Sequence, residues 1–168
     1  LEIELVTKIN TYGNDLVFDF PNLVNGDRVD EVSYDYAQNY YTDNPFGESD
    51  TFKTSAILDT STFKIIDSEN VDVTYCYVIQ ENTFDIEIKK RRLDIVVENS
   101  HKDYDGHELS TEGNTFVSDS TPLATGDNIS INYNTSFSEV GTHSITDTVK
   151  ITNGEYDRTN FYDINYIV

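Results

Sequence analysis

Few residues of this chain are spaced for chemistry. His101 and His107 flank Tyr104-Asp105-Gly106, six positions apart. A zinc ion would need a third ligand from Asp or Glu on a preorganised scaffold, and no cysteine is near. Asp103-Tyr104-Asp105-Gly106 carries part of a calcium loop. It lacks the third acid before the glycine, where His101 stands, so an EF-hand is rejected although Glu112 lies six residues after it. No cofactor and no metal ligand set is expected, and a structural calcium at a domain junction is the one cation the carboxylates leave open. Ser/His/Asp and Cys/His nucleophiles fail because no nucleophile sits on a recognisable elbow. No carboxylate pair stands out for glycoside hydrolysis. Cys76 is the only cysteine, which excludes an intramolecular disulfide. The chain is therefore read as not an enzyme.

Tyrosine offers the better binding chemistry. Tyr34, Tyr36, Tyr40 and Tyr41 crowd one segment, and tyrosine gives a large amphipathic contact at low entropic cost. Tyr34 and Tyr36 alternate as one face of a strand, whereas Tyr40 and Tyr41 fall in Tyr40-Tyr41-Thr42-Asp43-Asn44-Pro45, which reads as a loop. Tyr40 and Tyr41 are thus the candidate ligand-binding residues, for a glycan or a protein.

The elements that must carry these residues repeat with a period of two. Phe84, Ile86 and Ile88 alternate with Asp85 and Glu87; Leu93, Ile95 and Val97 alternate with Asp94 and Glu98, broken only by Val96; Ile129, Ile131 and Tyr133 alternate with Ser130 and Asn132; Leu1, Ile3 and Leu5 alternate with Glu2 and Glu4. That pattern puts one apolar row on a core and one polar row in water, as in half-buried antiparallel strands. Asn25-Gly26-Asp27, Gly126-Asp127-Asn128 and Asn153-Gly154 supply turns. No apolar stripe of helical period lasts three turns, so the fold class is all-β. The 168 residues hold 31 Asp+Glu against 11 Lys+Arg, a net charge of −20. Such a charge repels nucleic acid, and no apolar run is long enough for a membrane span. With 12 Tyr and 9 Phe, the chain also has the aromatic content that disordered acidic chains lack.

Three blocks recur in the same order. Leu1-Glu2-Ile3 matches Leu93-Asp94-Ile95, and Tyr12 with Gly13 matches Tyr104 with Gly106, from an offset of 92. Leu23-Val24-Asn25-Gly26-Asp27-Arg28-Val29 matches Leu123-Ala124-Thr125-Gly126-Asp127-Asn128-Ile129 at 100. Asp72 to Ile79 matches Asp157 to Ile164 at 85, sharing D-x-T-x-x-Y-x-I. Collinear blocks with drifting offsets read as two copies of one domain, repeat 1 over 1–90 and repeat 2 over 91–168, each at −10 when divided after Arg92. Lys89-Lys90-Arg91-Arg92 joins them without a flexible linker, so a stiff tandem rod is expected. The alignment sets Cys76 against Phe161, an apolar packing position. At Gly26 and Gly126 the expectation is a strand-opening turn with positive φ, its aspartate capping nearby amides. An isopeptide between Lys8 or Lys64 and Asn82 has no motif behind it. After Ile79 the first copy continues through a strand to Ile88, while the second stops at Val168. Repeat 2 is expected to lack its last strand, with an edge open to pairing.

The blocks resemble the YDG-type and YGX-type (MBG-like) tandem repeats of large bacterial cell-surface proteins. Tyr104-Asp105-Gly106 fits the first type and Tyr12-Gly13-Asn14 the second. Leu23 to Asp27 and Leu123 to Asp127 fit the Gly-Asp turn, Val140-Gly141-Thr142 the Val-Gly-Thr segment and Tyr162-Asp163-Ile164 the Tyr-x-Ile strand. The resemblance implies an extracellular, adhesin-like, non-enzymatic segment at a bacterial cell surface or wall. Its partners would be neighbouring repeats of a longer chain, with a host glycan or protein as a further one. Two tandem Ig-like β-sandwich repeats are the expected architecture, with a β-grasp-like sheet as the alternative. The expected role is a stalk or spacer, and the alternative is a carbohydrate- or protein-binding module using the Tyr-rich insertion of repeat 1.

Overall fold

The computed structural model describes residues 9–133, 136–144 and 147–168. The alternating segment Leu1 to Leu5, and Lys8, lie outside the described residues. The described residues are all-β, with three short 3-10 turns and several small sheets. The chain forms two compact units, Leu1–Lys89 and Lys90–Val168.

The first unit contains β1 (Ile9–Thr11), β2 (Arg28–Glu31), β3 (Tyr34–Tyr36), β4 (Thr51–Leu58), β5 (Lys64–Ile66) and β6 (Thr83–Lys89). Four of them form a sheet in the order β1-β6-β4-β3. β6 runs antiparallel to β4 and parallel to β1. The alternation is strict along β4, where Phe52, Thr54, Ala56 and Leu58 are buried while Lys53 and Ile57 are exposed. Ile86 and Ile88 of β6 join that buried row, with Tyr12, Leu16 and Phe46 also buried. A second cluster forms where β2 pairs antiparallel with β5. There Phe63, Ile65 and Tyr77 are buried under Phe20, Leu23, Val29, Val32, Val73 and Ile79.

The second unit contains β7 (Arg91–Val97), β8 (Leu109–Ser110), β9 (Thr115–Val117), β10 (Asn128–Asn132), β11 (Ser136–Phe137), β12 (Thr148–Asn153), β13 (Tyr156–Asp157) and β14 (Tyr162–Ile167). Its sheets are β14-β7-β9, β10-β12-β13 and the pair β8-β11. Leu93, Ile95 and Val97 are buried as their alternation requires. Asp94, on the polar row, is buried too. Its carboxylate accepts Arg92 Nε at 3.0 Å and Asn165 Nδ2 at 3.2 Å, which compensates the burial.

The pairings recur between the units. Ile9 faces Glu87 in the first and Leu93 faces Ile164 in the second, both in parallel ladders, at separations of 78 and 71. The difference, 78 − 71 = 7, equals the difference between the block offsets, 92 − 85. Likewise Val29 faces Ile65, and Ile129 faces Ile151, in antiparallel pairs.

Candidate functional site

The residues that recur most clearly bind one another. In the first unit Tyr77 Oη donates to Asp27 Oδ2 at 2.6 Å and accepts the Val24 amide at 3.2 Å. In the second, Tyr162 Oη donates to Asp127 Oδ2 at 2.6 Å and accepts the Ala124 amide at 2.9 Å. Three residues before each tyrosine stands a threonine. Thr74 Oγ1 accepts the Ile65 amide at 2.9 Å, and Thr159 Oγ1 that of Ile151 at 3.0 Å. The threonine amides donate to Asp72 and Asp157, each at 2.9 Å. The D-x-T-x-x-Y block is thereby a clamp. Its Asp and Thr fix a 3-10 turn against the neighbouring strand, and its Tyr reaches across to the Gly-Asp turn.

Local chemistry explains each part. Gly26 and Gly126 have φ of +79° and +88°, a region that costs other residues strain, so the turn can open β2 and β10. Asp27 and Asp127, expected to cap nearby amides, receive side-chain donors from farther along the chain. The carboxylates take the tyrosine phenols, and Asp127 Oδ1 additionally takes Asn153 Nδ2 at 2.7 Å. Burial, and then donation to Asp127, raise the Tyr162 pKa above its ordinary value; Tyr77 is raised by burial and by Asp27. Both phenols therefore stay protonated and donate at neutral pH. Hydrogen bonds from Thr74 hold Asp72 below the usual carboxylate range, and those from Thr159, its amide first, do so for Asp157. Such an arrangement holds a fold together. It presents no proton acceptor and nucleophile side by side at a cleft.

Tyr40 and Tyr41 fall in the 3-10 turn Gln38–Tyr41, both half-buried. The Tyr40 ring stacks on Tyr36 at 3.8 Å between centroids and lies 6.2 Å from Phe52 and 6.3 Å from Tyr12. Tyr36 in turn meets Tyr34 edge-on at 5.6 Å, and Tyr34 meets Phe18 at 5.2 Å. Tyr40 is thus one rung of an aromatic ladder within the first unit. Tyr41 Oη donates to the Asp35 carboxylate, which lowers the Asp35 pKa. Tyr34 and Tyr36 share one half-buried face of β3.

Beside the same turn lies a groove of ≈ 490 Å³ lined by Ile9, Asn39, Lys53, Ser55, Asp85 and Glu87. Lys53 faces Glu87 and Ser55 faces Asp85 across β4 and β6, and Ser55 Oγ donates to Asp85 at 3.3 Å. Asn39 is already engaged, its amide on the Lys53 carbonyl at 2.8 Å and its oxygen on Thr54 Oγ1 at 2.6 Å. Sequence reasoning missed these residues. Alternation assigns Asp85 and Glu87 to a polar row, but nothing local says that Lys53 and Ser55 lie beside them.

The remaining candidates stay apart or prove to be structural. His101 Nε2 lies 3.6 Å from Asp103, and both are exposed; the His107 amide donates to Asp105. Among the described residues no group of three His, Cys, Asp or Glu side chains could hold a metal. Lys64 pairs with Asp30 at 3.3 Å, and Asn82 Nδ2 donates to the Leu58 carbonyl at 3.4 Å. Cys76 overturns its expectation. It is exposed, whereas the aligned Phe161 has no exposed surface. The reason is local: Arg158, buried behind Phe161 with its guanidinium 4.3 Å from the ring centroid, occupies the position of Val73 in the first unit. Tyr12 is buried and the aligned Tyr104 is largely exposed, so the Tyr-Gly motifs do different jobs. Among the described residues no helix is long and apolar enough to cross a membrane. No protein-family model matches the chain, and neither a curated protein nor a solved structure matches it.

Proposed function

We propose that the chain is a non-enzymatic structural or adhesive repeat segment of a bacterial cell-surface protein, two Ig-like β-sandwich repeats (1–90 and 91–168) serving as a stalk or spacer. The observation that supports this reading is the duplicated clamp. The side chains that recur in both units, Asp27, Asp72, Thr74 and Tyr77 with Asp127, Asp157, Thr159 and Tyr162, are spent on one another rather than offered to a ligand. Residues repeated for scaffolding recur wherever the scaffold does; a binding site need occur once. The location is extracellular and the partners are neighbouring repeats. The even division of charge, −10 in each half, disfavours collapse of like-charged neighbours onto one another.

A second reading is favoured by the groove beside the Tyr-rich segment of the first unit: a carbohydrate- or protein-binding module whose wall includes the turn bearing Tyr40 and Tyr41. A glycan and host-matrix array separates the two. The intact protein is compared with a Tyr40→Ala/Tyr41→Ala variant and a Ser55→Ala/Glu87→Ala variant, each checked for folding. Blank arrays throughout fit the spacer. A hit on the intact protein lost in either folded variant transfers the function to the first unit's surface.

A further inference from the structure

We infer that each unit is built to bear tension, with a ladder of parallel strands as its mechanical clamp. This rests on the stalk reading for its biological purpose but on geometry alone for its physics. In the second unit the chain comes in along β7 and leaves along β14, and the two strands lie side by side in parallel. Six residue pairs form the ladder, from Arg91 opposite Tyr162 to Val96 opposite Ile167. Tension between the unit's ends pulls Arg91 one way and Ile167 the other. These residues stand at opposite ends of the ladder, so the load runs along the strands and strains all of the inter-strand bonds together. Had the two loaded residues stood at the same end, the bonds would open one after another, each meeting the load alone.

Side chains reinforce the same pair. Asp94 of β7 accepts Asn165 Nδ2 of β14 at 3.2 Å, a staple across the loaded ladder. Leu93 and Ile95 of β7 have no exposed surface, so pulling β7 past β14 also drags on a core. The Tyr162 clamp ties the first residue of β14 to the Gly-Asp turn through Asp127 and Ala124. The first unit has the same arrangement. β1 and β6 are parallel, Ile9 opposite Glu87 and Thr11 opposite Lys89, so the loaded ends again lie at opposite ends of the ladder. β6 is held on its other side by the seven-pair antiparallel ladder with β4. One residue, Lys90, separates β6 from β7, so tension leaving one ladder passes directly into the next.

Single-molecule force spectroscopy tests this on the whole 168-residue chain with Cys76→Ser as background. With handles at the two termini, two unfolding events are expected, each releasing roughly 250–300 Å at 3.3–3.6 Å per freed residue. The decisive comparison moves the handles to Lys90→Cys and Asn160→Cys, just before β7 and just before β14, so that the second ladder peels from one end. Lys90 joins the two strands and Asn160 is exposed, and circular dichroism and melting confirm that this variant folds as the parent does. The second unit's unfolding force is expected to drop by roughly a factor of two or more, since forced unfolding follows the barrier along the direction pulled rather than the equilibrium stability. Equal forces in the two geometries overturn the inference. That result would leave the spacer reading standing, whereas a glycan hit on the array would remove the spacer reading and leave the mechanical result untouched.

Discussion

In the first unit the residue before the clamp tyrosine is Cys76, exposed to solvent; in the second it is Phe161, with no exposed surface and the buried Arg158 against its ring. The tyrosine hydrogen bonds of the two clamps are matched partner for partner, with Asn153 Nδ2 as a further donor to Asp127 in the second. The first unit compensates from elsewhere. Its Tyr77 packs with Phe63 and Ile65, and Phe63 contacts Phe20 at 5.6 Å, continuing an aromatic series through Phe18 to Tyr34. The lesson is that polar connectivity can be held constant while the apolar support beside it is supplied from different parts of the chain.

The largest effect that tests this contrast is truncation at the differing position. Phe161→Ala should destabilise the second unit by about 3–5 kcal/mol, leaving a cavity and removing one of the two rings, Phe161 and Tyr156, against the buried guanidinium. Cys76→Ala at the matching position should change the first unit by no more than about 0.5 kcal/mol. Urea titration followed by amide signals of each unit measures both at once. A comparable loss at both positions would mean that the exposure difference carries no energetic weight.

Removing one oxygen from each clamp comes next. Tyr162→Phe strips Asp127 of its phenol and leaves the Ala124 amide, on a buried residue, without its acceptor. The expected cost is about 1–3 kcal/mol. Tyr77→Phe should cost less, about 1 kcal/mol, because Val24 is nearly half exposed and water can reach its amide. The same per-unit titration decides it; a larger loss from Tyr77→Phe would reverse the ranking.

Why the clamps were legible while their surroundings were not follows from these residues. Strands β6 and β10 were visible in alternation because each has one wet face, β7 because Asp94 is polar although buried, and the Gly-Asp turns because positive φ selects glycine. The D-x-T-x-x-Y block was visible as a repeat, but its partner was not. Nothing between Asp27 and Tyr77 states that two positions fifty residues apart share a hydrogen bond. Alignment also transferred burial from Phe161 to Cys76, which failed because burial depends on what packs against each position rather than on the column. The groove of Lys53, Ser55, Asp85 and Glu87 was hidden for the same reason, since it exists only once β4 lies against β6.

Acid offers a smaller and more selective probe. Asp72 and Asp157 are held below the ordinary carboxylate pKa of about 4 in the folded state. A depressed folded value means the unfolded chain binds protons more readily, so the stabilisation is present above the unfolded pKa and is lost as pH falls through the folded one. Both units should weaken below about pH 4, and Asp157→Asn, which keeps an oxygen for the Thr159 amide but does not titrate, should flatten that loss in the second unit alone. At the other extreme Tyr162 and Tyr77 are raised, so their contribution is whole below about pH 10 and fades as pH rises through the folded values. Thermal melts from pH 3 to pH 11 with unit-specific signals check both ends. An acid slope unchanged by Asp157→Asn would remove the second clamp's carboxylate from the account.

The finest distinction between the units lies at the turn that receives the tyrosine. Gly26 and Gly126 both have positive φ, so alanine at either should cost about 1–2 kcal/mol from backbone strain alone. The surroundings then differ. A Cβ on Gly26 would meet nothing within 4 Å, whereas one on Gly126 would approach Asn153 Nδ2 to 3.3 Å. That nitrogen is the second donor to Asp127, at 2.7 Å, so it can retreat only by lengthening a charge-assisted hydrogen bond. Gly126→Ala should therefore exceed Gly26→Ala by a few tenths of a kcal/mol, about half the worth of one modest hydrogen bond. An Asn153→Ala background should erase the excess while leaving the common strain. If the excess persists there, the extra cost comes from the turn backbone itself, and the second clamp owes nothing to its additional donor.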